Sequence, residues 1–488
     1  MGVNLDLAAA ARRVAEERGF DLAFGSDVER EVAALAPPQI PSDLKDLRGL
    51  LWSSIDNEES RDLDQVEFAE QVGGGGGGAA GGNAIRLLVA IADVDVLVPK
   101  GSAIDAHAQR NSTSLYTGVA TFPMLPDALS AGLTSLLPDQ DRIAIVIENV
   151  VERDGTVRHF DAFRAVVRNK AKLVYEDVGA FLEGSTKGAP IPAPLVPQLE
   201  LQREAAKRLK AQRHRAGALE FETIEPRPVT KNGKVVDITV TLKNLARDLI
   251  EDFMIAANIA TSKFLEAHKS SGIRRVVRRP ERWNRIVDLA QEHGGSLPAE
   301  PSSQALANFL AQARAKDAVR FPDLSLSIVK LLGRGEYALD VPGKDPGGHF
   351  GLAADDYSHA TAPNRRYADL IQQRLLKAVL TGQPQPYSDA ELSALAAHCT
   401  EREDEAQKVE REMRKIVAAQ LLGDRVGQTF DAIVTGASKK GTFVRLFRPP
   451  AEGRVIIGER GMDVGDRVKV RLVHTNPEQG FIDFEAVR

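Results

Sequence analysis

The residues best suited to chemistry lie in one short run, Ile55-Asp56-Asn57-Glu58-Glu59-Ser60-Arg61-Asp62-Leu63-Asp64-Gln65. Asp62 and Asp64 are two apart, so on a strand both side chains point to the same face. Asp56 comes six residues before Asp62, across a polar turn that would fold it back beside them. Three hard oxygen donors held this way repel one another unless a cation sits between them. Magnesium prefers one or two carboxylates together with water and substrate phosphate, so the run has the makings of a metal cage. One or two such ions would activate a water and stabilise the leaving oxygen of an in-line phosphodiester cleavage. Read alone, the same residues equally describe a solvated acidic loop.

Elements on either side must position this run. Residues 46–167 carry a strand pattern, and residues 85–98 form an almost continuous apolar stretch suited to a strand buried on both faces. The glycine and alanine run at 73–82 lies between two strand patterns and has no P-loop lysine, so it reads as a mobile hairpin loop. Helices are expected over 199–216, 249–268, 367–380 (stopped by Gly382) and 400–422 (stopped by Gly423). At the front, Leu5, Ala8, Ala9 and Val14 recur at helical spacing up to Gly19, and Ser26 to Glu29 reads as a capping box that starts a second helix. Two helices and a turn fit a helix-turn-helix or an ordinary helical hairpin. From 427 onward, short strands at 430–434, 442–446 and 467–473 alternate with turns, which suits a small OB-type barrel.

Composition bounds the possibilities. The chain has 488 residues, 43% of them hydrophobic and 27% charged, enough for two to four domains. No apolar run approaches the roughly 18 residues that cross a bilayer, and residues 1–22 lack the apolar core of a signal peptide. A single cysteine, Cys399, excludes an internal disulfide and a cysteine zinc site. A cytoplasmic protein is expected. The net charge of −5 means that any nucleic-acid contact must be local. Basic runs at 203–215 and 274–285 and the C-terminal tail are candidate patches, although such runs are also what solvated helix faces look like.

The acidic run resembles the signature of the RNase II (RNB) family of exoribonucleases, in which aspartates at relative positions one, seven, nine and ten hold catalytic magnesium. Asp56, Asp62 and Asp64 fall on the first three, and Gln65 stands on the fourth in place of aspartate. Further landmarks follow in the family's order: residues 88–94 (LVAIADV), 122–126 (FPMLP), 217–221 (GALEF), 253–258 (FMIAAN) and 349–352 (HFGL). Residues 357–367 (YSHATAPNRRY) resemble the family's SPIRRY motif, with Ala362 and Asn364 replacing its serine and isoleucine. The resemblance covers about residues 45–420. It implies that Asp64 and Arg365 are catalytic, with the Arg365 guanidinium on the scissile phosphate. It also implies that Tyr116 stacks on the 3′-terminal base, with Glu251 and Arg366 as further RNA contacts. Without it, Tyr116 would be a core or surface aromatic, and Arg366 would merely hold a helix start. His359 is expected to be a structural hydrogen-bonder. The C-terminal barrel resembles the ribosomal S-one type of RNA-binding domain, with Phe443 beside Lys439 and Lys440 as a stacking ring next to phosphate-seeking charge.

The expected architecture is α+β: a mixed sheet surrounded by helices, with a C-terminal all-β OB barrel and a small helical N-terminal segment. The boundaries are 1–42, 43–424 and 425–488. The implied activity is magnesium-dependent, processive 3′-to-5′ hydrolysis of single-stranded RNA to nucleoside 5′-monophosphates, with no membrane and no obligate protein partner. About 45 residues cannot hold the cold-shock domains common at the front of this family, so the helical pair is expected to replace them as an RNA entrance. The rival reading is a catalytically impaired RNA-binding protein with the same fold, for which Gln65 is the best argument. A DNA-binding regulator acting through the N-terminal helices would leave most of the chain unexplained.

Overall fold

The computed structural model describes residues 5–73, 83–222, 226–231, 234–240, 243–318, 320–438 and 441–487. The glycine-rich run, apart from Gly73, and both Lys439 and Lys440 lie outside them. Two helices open the chain, α1 (Leu7–Glu17) and α2 (Ser26–Ala34). Asp6 caps α1 by accepting from the amides of Ala8 and Ala9. The capping box expected at Ser26 does not form. Gly25 is the N-cap, Ser26 is already helical, and no side chain bonds the free amides there.

A seven-stranded sheet follows. Strands β1 (Lys45–Asp46), β2 (Ser53–Asp56), β3 (Gln65–Val72) and β4 (Ala84–Ala92) come first. Helix α3 (Ala103–Asn111) and a small hairpin, β5 (Leu115–Tyr116) and β6 (Thr121–Phe122), interrupt them. Then β7 (Asp141–Val151), β8 (Val157–Arg168) and β9 (Ala171–Val174) complete the sheet in the order β1-β8-β7-β4-β3-β2-β9. The apolar stretch expected to run as strand to 98 stops at Ala92, where Asp93 turns the chain and ion-pairs with Arg164 and Lys377. β4 is central, paired antiparallel to both β3 and β7 and buried at all but one of its residues, which is why its sequence does not alternate.

Helices α4 (Tyr175–Leu182) and α5 (Val196–Arg215) come next, then a hairpin of β10 (Pro226–Lys231) and β11 (Lys234–Val240), then α6 (Leu245–Ala267). α5 lies against β3, β4 and β7, and α6 against β4, β7 and β8, so the two cover the middle of the sheet. A two-stranded ribbon of β12 (Gly272–Val276) and β13 (Glu336–Asp340) brackets α7 (Trp283–Glu292), α8 (Ser303–Lys316) and α9 (Phe321–Leu332), which pack around their own small apolar core. Helix α10 (Tyr367–Thr381) ends at Gly382, whose φ of +64° supplies the left-handed C-cap. The 34-residue α11 (Asp389–Leu422) starts earlier than its charge pattern suggests, at a true capping box between Ser388 and Glu391.

The last segment closes into a barrel of β14 (Thr429–Ser438), β15 (Gly441–Leu446), β16 (Glu452–Ile457), β17 (Arg467–Asn476) and β18 (Phe481–Val487), in the order β14-β15-β16-β18-β17. Its interior residues share one apolar cluster with the second half of α11 and with α1. Among the described residues, no helix is long and apolar enough to cross a membrane.

Several residues of the two internal basic runs are ion-paired within the fold. On α5, Arg208 bonds Glu204, Lys210 reaches Asp248 at 2.7 Å, and Arg213 holds Asp252. On β12, Arg274 bonds Asp340 at 2.7 Å and Arg275 bonds Glu403 at 2.7 Å.

Candidate active site

The acidic run is not a strand. Residues 57–64 form a loop between β2 and β3, so Asp62 and Asp64 do not share a pleated face. The loop is tied to another segment. The Leu63 amide donates to Ser135 Oγ (3.0 Å), the Ser135 hydroxyl donates to the Arg61 carbonyl (2.8 Å), and the Leu136 amide donates to the Leu63 carbonyl (2.9 Å). These bonds turn the two aspartates to different surroundings. Asp62 accepts from the Tyr116 hydroxyl at 3.1 Å, and both residues line an open cavity of about 820 Å³ with Ser60, Thr117 and Arg414. Asp64 points inward and is 2% exposed.

Asp64 meets the 357–367 segment. Its Oδ1 accepts the backbone amide of Asn364 at 3.0 Å, and the Nε of Arg365 lies 3.6 Å from its Oδ2. That Oδ2 is buried and has no hydrogen-bond partner. Burial raises the Asp64 carboxyl to about 7, against the opposing pull of Arg365 and the Asn364 amide. Asp56, at the end of β2, accepts from the Asn57 amide (2.7 Å) and the Ser60 hydroxyl (2.8 Å). Its carboxyl is also raised, mainly by burial, with Asp62 and Arg365 as charged neighbours. Asp56, Asp62, Asp64 and Arg365 are therefore brought together as the sequence suggested.

They do not close into a cage. Among the described residues, no three carboxylate, imidazole or thiolate side chains converge tightly enough to enclose a metal ion. Each aspartate instead has its own donor, from Ser60, Tyr116 or Asn364. The donor set still fits magnesium. All the groups are hard oxygens, and the orphaned Oδ2 of Asp64 is a buried acceptor that protein groups leave unsatisfied.

The remaining candidates separate. Arg365 leaves about two-fifths of its side chain exposed beside Asp64, free to meet an anion. Arg366 turns inward instead. It grips Asp369 through two bonds of 2.8 and 2.7 Å, and Asp369 Oδ1 also accepts the amides of Thr361 and Ala362. Arg366 thus braces the loop that presents Arg365, in keeping with the other role the sequence allowed it, that of holding a helix start. Glu251 pairs with Lys243 at 3.0 Å in a second cavity of about 790 Å³, among Lys210, Asp248 and Asp252, and does not line the cavity of Tyr116. His359 is partly buried, its Nδ1 2.8 Å from the Tyr337 hydroxyl, and desolvation together with Arg366 and Arg275 holds it well below the usual histidine range. On the barrel, the Phe443 ring is exposed and its cross-strand partner is Arg454. Sequence reading missed Asp369, although a carboxylate three residues after Arg366 at a helix start is an i, i+3 pair. It also missed Glu67 on β3, fully buried and acidic.

The chain matches the RNB domain over residues 44–382 and the RNase II-type exonuclease C-terminal S1 domain over 428–487. It belongs to the RNB-domain family. It is 32% identical to Ribonuclease R of Vibrio cholerae over 504 residues, an alignment that takes in 95% of this chain and 59% of the relative. With Ribonuclease R of Escherichia coli the identity is 31%, covering 94% of this chain and 60% of the relative. The chain therefore spans about three-fifths of the length of these relatives. Among solved structures, Mycoplasma genitalium RNase R in complex with ribose-methylated single-stranded RNA superimposes with a TM-score of 0.89 at 23% identity, over 100% of this chain and 79% of that one. Yeast Ssd1, described as a pseudonuclease, superimposes with a TM-score of 0.70 at 16% identity, over 95% of this chain and 57% of that one. The fold is thus common to nucleases and to at least one protein without the activity.

Proposed function

We propose that the chain is a magnesium-dependent exoribonuclease that hydrolyses single-stranded RNA processively from its 3′ end, releasing nucleoside 5′-monophosphates in the cytoplasm. The observation that carries this reading is the meeting of Asp64 and Arg365: a buried carboxylate with one oxygen that has no hydrogen bond, beside a partly exposed guanidinium. The relatives named Ribonuclease R and the RNA-bound neighbour support RNA as the substrate class. The units proposed are a helical segment over 1–42, a catalytic domain over 43–424 and an RNA-binding barrel over 425–488.

Asp56, Asp62 and Asp64 would hold magnesium, which supplies an activated water and charge neutralisation at the phosphate. Arg365 neutralises charge that builds on the phosphoryl oxygens, and its fork suits a tetrahedral anion. Arg366, fixed on Asp369, holds the backbone that carries Arg365. The Asn364 amide orients Asp64. Tyr116 offers its ring to the terminal base while its hydroxyl restrains Asp62. Phe443 and the adjoining Lys439 and Lys440 would grip RNA farther from its 3′ end.

The test is cleavage of a 5′-labelled RNA with magnesium, with chelator, and by Asp64→Asn. A ladder that needs magnesium, disappears in Asp64→Asn and spares a DNA control is expected. Tight RNA binding with no cleavage under any condition would replace this reading with that of a catalytically impaired RNA-binding protein, which Gln65 favours.

A further inference from the structure

Two guanidinium groups in the cavity of Tyr116 have no use within the fold. Arg61 lies on the loop between β2 and β3, next to Asp62, and Arg414 lies on α11; both line the cavity and both are exposed. Among the described residues, neither side chain makes a hydrogen bond or an ion pair. The third arginine of the cavity, Arg227 on β10, has Glu59 at 3.8 Å. The backbones that carry the two unpaired groups are nonetheless fixed. The Ser135 hydroxyl donates to the Arg61 carbonyl at 2.8 Å. Arg414 rides on a helix whose Met413, Ile416 and Val417 are buried in the cluster shared with the barrel. Glu410 and Arg414 are one turn apart, so a single face of α11 forms this wall of the cavity. A guanidinium that lines a concavity without a carboxylate partner offers its fork of donors to an anion from outside.

The rest of the cavity says which anion. Tyr116 is 42% exposed there, and its hydroxyl is tethered to Asp62, which restrains the ring. A restrained aromatic ring and unpaired cations in one groove suit a single strand of nucleic acid, whose bases stack while its phosphates meet the charges. A paired duplex has no free base to give the ring. α11 also sets a cavity residue and a barrel contact side by side. Lys415, the neighbour of Arg414, lies so close to Gly480 that no side chain fits there. Arg414 therefore stands on the barrel side of the cavity, and Arg61 stands beside the acidic residues. We propose that Arg61 and Arg414 form a two-point phosphate grip that carries a single RNA strand through this cavity. This rests on RNA being the substrate, as proposed above, and the experiment separates the two.

The probe is 5′-fluorescein-labelled oligo(A), titrated against the full chain in chelator, with anisotropy read over a series of salt concentrations. Arg61→Gln and Arg414→Gln should each weaken binding roughly tenfold at low salt. Each should also reduce the slope of log affinity against log salt by about 0.7, the share of one phosphate on a single strand. The double variant should lose about twice that slope. Arg414→Lys keeps the charge and should keep the slope, a result that a packing defect would not give. Arg411→Gln, exposed on the same helix but outside the cavity lining, should bind like the parent. Arg61 and Arg414 are exposed and unpaired, so the fold should tolerate their loss. If the parent binds oligo(A) while either Gln variant keeps its affinity and slope, the two-point grip is wrong and the proposed function stands. An equal loss in Arg411→Gln would reduce the effect to general surface charge and overturn the grip as well. If the parent fails to bind oligo(A) at every salt concentration, RNA is not the substrate and this inference falls with that reading.

Discussion

At the scale of single residues, the types and order of the acidic run were readable, but the direction of each side chain was not. Asp62 and Asp64 are two apart, yet Ser135, which accepts from the Leu63 amide and donates to the Arg61 carbonyl, holds the loop so that one aspartate faces a cavity and the other the interior. A partner more than seventy positions away decided this, and no local pattern carries it. Tyr116 follows the same logic, since its hydroxyl finds Asp62 across 54 positions. On the proposed reading its ring is the stacking surface, worth about 1–3 kcal/mol per base. Tyr116→Ala should therefore weaken binding of single-stranded RNA roughly tenfold in chelator, where cleavage is blocked. Tyr116→Phe should bind nearly normally, because only the bond to Asp62 is lost. Fluorescence anisotropy distinguishes them, and equal losses in both variants would move the stacking role elsewhere. A second residue-scale expectation concerns pH. Burial, with Arg275 nearby, lowers His349 to about 4. The unfolded chain, with an ordinary histidine near 6.5, then binds the proton first on acidification. Its contribution to stability is complete above about 6.5 and is lost as pH falls toward 4. His349→Asn should flatten the slope of unfolding midpoint against pH in that window, because Asn can still accept the Leu352 amide that His349 Nδ1 now receives. An unchanged slope in urea melts would show that His349 does not titrate differently on folding.

At the scale of elements, long periodic segments were legible and their ends were not. α6 and α10 are rich in apolar residues and buried on nearly every side, and the second half of α11 follows its apolar spacing, packing Val409, Met413, Ile416 and Val417 into the cluster it shares with the barrel. α3 escaped notice because it is nine residues long and keeps His107 and Asn111 buried, so its inner face does not read as apolar. The capping-box spacing occurs at two helix starts and caps only one of them. Ser26 with Glu29 and Ser388 with Glu391 have the same spacing, but the helix of the first begins one residue too early for its serine to cap. A local motif permits a cap, and the backbone at the preceding residue decides whether it forms. The two serines should therefore differ on mutation. Ser388→Ala removes the side chain that accepts the Glu391 amide and should cost about 1 kcal/mol, within the usual span for a lost N-cap. Ser26→Ala should lie within about 0.5 kcal/mol of the parent, as a surface substitution without a partner. Parallel urea melts give the comparison, and equal costs would contradict the placement of the caps.

At the scale of the whole molecule, the sequence suggested a modular chain with a small helical front piece acting as a doorway for RNA. The packing makes that piece part of the body. α1 shares one apolar cluster with α11 and the barrel, through Leu7, Ala11, Val14 and Phe20. Val28 of α2 belongs to the main core, and Glu31 accepts the amides of Ala103 and Ile104 at the start of α3. Polar contacts add to this. Arg18 bonds Glu412 at 2.8 Å, the Arg402 guanidinium donates to the carbonyls of Arg18 and Gly19, and Asn111 donates to the Asp21 carbonyl. The barrel sits just as close to the other side of this assembly: a side chain at Gly480 would come within 2.8 Å of Lys415 Cβ, so the turn before β18 meets α11 with no room for one. α1, α11 and the barrel thus form a single unit in which each covers apolar surface that the others would expose. Removing residues 1–36 should accordingly uncover part of the apolar cluster shared with α11, at about 25 cal/mol for each Å² of apolar surface uncovered, and take the partners from Arg402 and from the amides of Ala103 and Ile104. The expected result is a thermal unfolding midpoint several degrees lower, with earlier proteolysis at the α11–barrel junction. RNA entry cannot be judged from such a deletion unless the midpoint is unchanged. Charge reversal at Arg13 alone (Arg13→Glu), whose partner Glu17 is on the same exposed face, isolates an electrostatic role. If the deletion melts like the parent, the helices are an appendage after all, and the doorway reading regains its footing.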